Sequence, residues 1–495
     1  MLKNKSLKIS KVVLLNLPEE GQCADYYTPD YAIEEFSVYP PLGLLYVATE
    51  AKKFYPVEVL DVVALRYGIK ETVNHVERLH PDVIGISCTT FRIFPMSEII
   101  RQVKMKLPET IFVVGGPHTS LYPVETLNLP GVDFVIKGEG DRSFKTLLDV
   151  LSLGNSEGLY NIPGLVFREG ERVVQNREDV VSVENLPFPD RRLLNWDYYH
   201  TAADKAEQVV TMISSRGCPF QCTFCDVMIK NYRSRPAIDV VNEMEHIVSE
   251  YDNPVIQVFD DTFNIDRKRV LDICEGIRQR KLNLKWTTRA RANPFDEEMV
   301  VKMKEAGLKR VHFGVESGSE TTLKKINKSI SKEHVVNAFQ LCRKYQIDTL
   351  AYFIIGFEWE TKEDIQDTIR FIKEIKPTFI MANTLYPAAK TKIYEELIKH
   401  GKIKEDFWQK FASNPVRNFN LPQWQSLKTR KYLKRKLDEI YLRFYLSPDF
   451  VSNNLKSDVS ESFSLSHFFY KVKLAIIIVK SYVVSLVEEF MTLRR

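Results

Sequence analysis

The stretch Val209-Val-Thr-Met-Ile-Ser-Ser-Arg-Gly217-Cys218-Pro-Phe-Gln-Cys222-Thr-Phe-Cys225 decides how this chain reads. It opens with a β-branched apolar run, turns at Gly217 and Pro219, and sets three thiols within eight residues. Glycine and proline here favour a loop over a helix, so the sulfurs form a compact soft-metal site. Closed structural zinc normally takes four protein ligands, and neither Cys274 nor Cys342 continues the spacing. A 4Fe-4S cluster on Cys218, Cys222 and Cys225, with one iron left open, is the better account.

Downstream, strand-like runs recur at Val255–Phe259, Leu284–Thr288, Arg310–Val315, Leu350–Ile355 and Phe379–Leu385, separated by helix-length segments. With Val209–Ile213 they make a partial (β/α)6 barrel, whose functional groups collect at the strand C-terminal ends. Upstream, Val12–Leu15, Val57–Leu60, Val83–Ile86, Ile111–Val114 and Asp133–Ile136 alternate with helical patterns at Gly43–Lys53, Lys70–Leu79 and Ser97–Lys106. That rhythm predicts a doubly wound parallel sheet, so the whole is an α/β chain. The expected divisions are a first domain at 8–150, a linker at 151–207 with a small hairpin around Gly170, the barrel at 208–400 and a mainly helical, substrate-determining region at 401–495.

Composition narrows the setting. Lys and Arg number 69 against 65 Asp and Glu, a balance that argues against a general nucleic-acid coat. Seven cysteines in 495 residues are too few for a disulfide framework, and a reducing cytoplasm fits best. Met1–Leu7 has no apolar core of signal-peptide length, and no window reaches the ~18 uninterrupted apolar residues of a membrane span. The short apolar run Leu474–Val479, flanked by lysines, allows at most peripheral membrane contact. The seven basic residues between Lys428 and Arg443 read as a solvated helix face.

The C-x3-C-x2-C spacing, with Phe224 before the last cysteine, resembles the radical S-adenosylmethionine superfamily. The resemblance implies that the open iron chelates S-adenosylmethionine, whose one-electron cleavage yields a 5′-deoxyadenosyl radical. Other strand ends agree: Val258-Phe-Asp-Asp-Thr-Phe263, His312-Phe-Gly-Val-Glu-Ser-Gly318 and Ile354-Ile-Gly-Phe357. By resemblance Glu316 and Ser317 hold the ribose and amino acid portion of the cofactor, Arg289 pairs with its carboxylate, and Gly356 lets backbone approach adenine. Phe224 and Asp261 complete that set. Asp260, Arg289 and Arg291 each have an alternative as strand-end caps.

Ahead of the barrel, Tyr39-Pro-Pro-Leu-Gly-Leu-Leu45, Gly115-Gly-Pro-His118 and Gly138-Glu-Gly140 are similar to the cobalamin-binding module of cobalamin-dependent radical S-adenosylmethionine enzymes. Ser87, Thr89, Gly115, Gly116, Gly138 and Glu139 then fall at positions that cradle the cofactor's tail. The familiar Asp-x-His-x-x-Gly loop is missing, since the first histidine is His75. The cobalt is therefore expected to carry no histidine from the loop after the first strand. His118 reads as a structural residue, and Cys23, Cys88, Cys274 and Cys342 as buried small apolar ones.

The resemblance implies an enzyme that methylates an unactivated carbon of a small molecule or lipid, with ring formation or rearrangement as the alternative. A non-catalytic cobalamin sensor is the reading from a different class, and the cysteine triad counts against it. The cofactors implied are a 4Fe-4S cluster, S-adenosylmethionine and cobalamin, and the partner is an electron donor such as flavodoxin or ferredoxin. No residue stands out as a catalytic acid, base or nucleophile.

Overall fold

The computed structural model describes residues 6–23, 38–184, 186–200, 207–421, 424–448 and 450. The apolar run Leu474–Val479 lies outside the described residues. Two compact units organise the chain.

The first unit holds β1 (Val12–Asn16), β2 (Val57–Asp61), β3 (Val83–Ser87), β4 (Ile111–Gly115), β5 (Phe134–Ile136), β6 (Leu165–Glu169) and β7 (Arg172–Gln175). Their order is β2-β1-β3-β4-β5-β6-β7, parallel through β5 and antiparallel from there on. β1, β3 and β4 are buried along almost their whole length, as strands covered on both faces must be. The intervening helix Ile69–Leu79 buries Ile69, Thr72, Val73 and Val76, one stripe at helical spacing. Because the strand order reverses between β1 and β3, the carboxyl ends of those parallel strands mark the usual ligand position of such sheets.

The segment 151–207, expected as a linker, instead extends this sheet with β6 and β7. Gly170 turns the β6–β7 hairpin, as expected, while Gly154 ends the helix Ser143–Leu153. Gly164 has φ +69°, and a Cβ there would stand 2.3 Å from the Lys137 carbonyl oxygen, so only glycine lets the chain come in beside β5. Residues 403–422 also cluster with the first unit rather than with a separate C-terminal region. Within that unit Cys23 Sγ donates to the Phe419 carbonyl at 3.2 Å and Phe91 meets Trp408 edge-on, contacts no local sequence pattern announces.

The six-stranded sheet runs β15-β14-β13-β12-β11-β8, with β8 at Val209–Met212, β11 at Val255–Val258, β12 at Lys285–Ala290, β13 at Leu308–Glu316, β14 at Asp348–Ile355 and β15 at Phe379–Thr384. The pairings from β11 to β15 are parallel. Crossover helices start where the sequence offers a cap: Asp266, Asp296, Ser331 and Thr361 each accept a backbone N–H of the first turn. The sheet stays open, and its β15 edge is covered by the helix Leu427–Tyr445. Tyr441 Oη accepts the Ala382 N–H at 2.9 Å and donates to the Ala382 carbonyl at 3.1 Å, while Tyr445 Oη reaches the Ile380 carbonyl. Leu433, Leu437, Ile440 and Phe444 bury the same face, leaving Lys434 and Arg443 in solvent. Of the expected solvated face, Lys434 and Arg443 are exposed, while Arg430, Lys431, Arg435 and Lys436 are half-buried.

Tyr441→Phe removes the one hydroxyl that serves both Ala382 backbone groups. We expect a loss of about 1–3 kcal/mol, read as a lower urea midpoint, because a buried donor and acceptor are left unpaired. An unchanged midpoint would show that the edge is held by packing alone.

Candidate functional site

The cysteine loop is launched from a fully bonded base. Asp260, just past β11 and completely buried, accepts the N–H groups of Ser214 and Ser215 at 2.6 and 3.0 Å and both their hydroxyls. The matching carbonyls go to two buried arginines. Arg235 donates to Ile213 O at 2.7 Å, and Arg269 donates to Ser214 O at 2.6 Å and to Arg235 O at 2.9 Å. Glu243, with no exposure, pairs with Arg235. The Ile213 carbonyl, both backbone groups of Ser214 and the Ser215 N–H thus have partners, which fixes the loop's direction.

Beyond this base, β9 (Ser215–Arg216) and β10 (Arg233–Ser234) pair and bracket the loop. Gly217 has φ +83°, and a Cβ there would come within 2.8 Å of Asn231 and Ile229 oxygens, so the close approach requires glycine. Cys218 N donates to Ile229 O at 2.9 Å, Thr223 N to Ile326 O at 3.0 Å, and Asn327 Nδ2 to Gln221 O at 3.0 Å. The three thiols are half-buried and outside any disulfide. Burial pushes the Cys225 thiol up, with the Val227 N–H and Lys230 pulling the other way, so a metal must displace its proton.

Among the described residues no three His, Cys, Asp or Glu side chains are grouped to hold a single metal ion. A cubane asks for something else, because each thiolate takes its own iron. The donor set of three accessible thiols on a pinned loop fits that group.

The other expected residues divide. Asp261 is exposed next to the loop; the surrounding protein and then the Asp260 carboxylate push its carboxyl above the ordinary value, while Arg289 and the Gly217 N–H oppose this. Arg289 lies 4.4 Å over the Phe259 ring. Glu316, at φ +68° on the end of β13, bonds Lys328 Nζ through Oε1 at 2.6 Å, and its Oε2 makes no hydrogen bond among the described residues. Phe224 packs edge-on against Phe357, beside Gly356. Gly356 has φ +92°, its N–H donated to Glu360 and its carbonyl accepting from Gln425 Nε2 at 3.0 Å.

Ser317 departs from expectation. Its side chain is fully buried, and its hydroxyl bonds Thr368 Oγ1 and the Ser319 N–H. The hydroxyl closes a turn rather than facing a ligand. Asp260, weighed in the sequence as a cap, is one.

In the first unit, Ser87 ends β3 and exposed Thr89 follows it, while Gly115 ends β4 and Gly116 follows it. A Cβ on Gly116 would meet Cys88 backbone and Ser87 Oγ below 3.0 Å, whereas one on Gly115 meets nothing nearer than 3.7 Å. Gly116 therefore serves chain approach and Gly115 leaves room at the sheet edge, which fits a bulky tail. Gly138 N donates to Ser120 Oγ, and Glu139 accepts the Val181 N–H, so these two hold neighbouring chain. Cys88 is buried with its thiol on the Thr89 carbonyl, and burial raises its pKa. His118 is fully buried and pushed down to about 3 by desolvation, with Nδ1 beside Thr90 Oγ1. The Cys88 thiol thus has a backbone partner, while His118 Nε2 is buried without one.

Three groups near the site carried no sequence signal: Lys328, Glu360 and Arg235. Lys328 and Glu360 lie in loops away from a strand end and Arg235 directly follows the short β10, and only the fold brings them in. Glu360 is pushed up to about 8, chiefly by burial and then by Asp364.

Comparison with known proteins places this geometry. Residues 212–372 match the Radical SAM superfamily and residues 31–148 the B12 binding domain. An uncharacterised methyltransferase of Pyrococcus horikoshii is 33% identical over 417 residues, covering 83% of this chain and 88% of its own. The anaerobic magnesium-protoporphyrin IX monomethyl ester cyclase of Rubrivivax gelatinosus is 28% identical over 356 residues, covering 70% of this chain and 63% of its own. The solved radical S-adenosylmethionine methyltransferase TsrM of Kitasatospora setae aligns with TM-score 0.64 at 19% identity, over 80% of this chain and 76% of that one, a likeness of fold.

Glu360 makes a pH signature. Its folded pKa of about 8 lies above the ordinary 4.5, so its contribution to stability is complete below pH 4.5 and lost as pH rises through about 8. Glu360→Gln keeps an acceptor for the Gly356 N–H and should lose less stability between pH 5 and about 8 in urea titrations. Equal losses in the two proteins would contradict the assignment.

Proposed function

The chain belongs to the radical S-adenosylmethionine enzymes that carry a B12-binding domain, and from this we propose that it methylates an unactivated carbon of a small-molecule or lipid substrate. Its cofactors are a 4Fe-4S cluster, S-adenosylmethionine and cobalamin. When bound, these supply a hydrogen-abstracting radical and a transferable methyl group. The observation that carries the proposal is the loop of three accessible thiols on a completely bonded base, in a chain 33% identical to a protein named as a methyltransferase.

The chain's own residues then have the following tasks. Cys218, Cys222 and Cys225 each give a thiolate to one iron. Glu316 offers Oε2 to the paired ribose hydroxyls, while Lys328 on Oε1 holds the carboxylate in place. Arg289 supplies positive charge for the cofactor carboxylate, Asp261 steadies the Gly217 N–H at the loop's start, and Phe224 with Gly356 flanks the adenine. Ser317 supports Glu316 from behind by closing the turn. In the first unit, Ser87, Thr89, Gly115, Gly116, Gly138 and Glu139 line the sheet edge for the cobalamin tail. A one-electron donor of flavodoxin or ferredoxin type and a cytoplasmic setting complete the proposal. Among the described residues no helix is long and apolar enough to cross a membrane.

Ring closure is the second reading, supported by the 28% identity to a cyclase. Anaerobic incubation with methyl-labelled S-adenosylmethionine and a metabolite extract separates the two. We expect label in a new product, accompanied by 5′-deoxyadenosine and S-adenosylhomocysteine. A product formed with deoxyadenosine but without label overturns methyl transfer and leaves ring closure.

Glu316→Gln should weaken S-adenosylmethionine binding about tenfold, the worth of a charged acceptor, while iron content stays at the parent level. Unchanged affinity in equilibrium dialysis would remove the ribose role.

A further inference from the structure

Arg291 lies just past β12 and is 6% exposed. Its backbone is locked by Asn264, whose Oδ1 accepts Arg291 N–H and whose Nδ2 donates to Arg291 O, both at 2.9 Å. Its guanidinium stacks on the Phe220 ring at 3.7 Å, and Phe220 lies between Cys218 and Cys222. Nη2 donates to the Lys328 carbonyl, while Nε is buried without a partner. Among the described residues no carboxylate pairs with this cation.

A buried guanidinium without an anion is costly, so its place beside the cysteine loop calls for a negative group there. Three thiolates around an iron–sulfur core leave a net negative charge, which grows on reduction. The same residue reaches the cofactor side as well, because Lys328 Nζ holds Glu316. The turn after β13 is stitched to the loop on both flanks, by Ile326 O on Thr223 N and by Asn327 on Gln221 O.

We propose that Arg291 is the buried counter-charge and positioning residue of the cysteine loop, stacking on Phe220 and tying the loop through Lys328 to Glu316. This rests on the cluster assigned above. As a counter-charge Arg291 favours the reduced cluster; as a tie it keeps Glu316 in register with the open iron.

The test uses the full chain reconstituted anaerobically with iron and sulfide, as parent, Arg291→Met, Arg291→Lys and Phe220→Leu. Readouts are iron content, cluster midpoint potential by redox titration followed with electron paramagnetic resonance, and S-adenosylmethionine affinity. We expect Arg291→Met to keep its iron, to titrate at a more negative potential and to bind S-adenosylmethionine about tenfold more weakly. Arg291→Lys should return the potential towards the parent value. Phe220→Leu, which keeps the charge, should hold the parent potential yet lose affinity, and it serves where Arg291→Met does not fold. A parent potential in iron-loaded Arg291→Met overturns the counter-charge, and parent affinity in Phe220→Leu overturns the tie. Failure of the parent itself to take up iron overturns the cluster reading instead.

Discussion

Everything at the candidate site hangs on one carboxylate. Asp260 takes four hydrogen bonds from Ser214 and Ser215, and a buried negative charge is tolerable only because that coordination is complete and because Arg235, Arg269 and Glu243 balance it nearby. Two cations and two anions, all inside the protein, hold the exit of β8 in one direction. A loop that must present three thiols to a rigid inorganic core cannot search for its geometry, and this set removes the search. The cysteines themselves contribute little to that rigidity; their neighbours' backbone bonds do.

The same logic appears at larger scale in how the sheets end. β6 and β7 continue the first sheet past β5 by antiparallel pairing, so the parallel core is not left with a bare flank there. At β15 the solution is different, since a helix brings two tyrosine hydroxyls to groups that a further strand would have paired. Tyrosine suits this because its ring fills the apolar contact while the hydroxyl both donates and accepts.

Much of the architecture is legible because short β-branched or apolar runs alternate with helix-length segments, and each of the eleven runs singled out in the sequence is a strand within a residue or two at most positions. The cysteine loop was equally plain. What was hidden depends on long-range contact. Gly164 looks like a linker residue until β5 is beside it, and residues 403–422 carry no mark of the unit they join. Ser317 read as a ligand residue because its position matched, yet the hydroxyl's partner, Thr368, is 51 residues away. Lys328 and Arg291 were invisible as a pair for the same reason: a backbone carbonyl bond leaves no signature in residue type.

The tyrosine-sealed edge also bears on how the chain withstands cleavage. A protease cut ahead of Leu427 that releases the helix would uncover the outer rim of β15, with the Ala382 amide and carbonyl and the Ile380 carbonyl facing outward in extended conformation. Such a rim is a template for another copy's strand, so the damaged molecule would polymerise through its backbone rather than merely lose activity. Integrity of the helix Leu427–Tyr445 is thus a condition for remaining dispersed, quite apart from anything that happens at the iron.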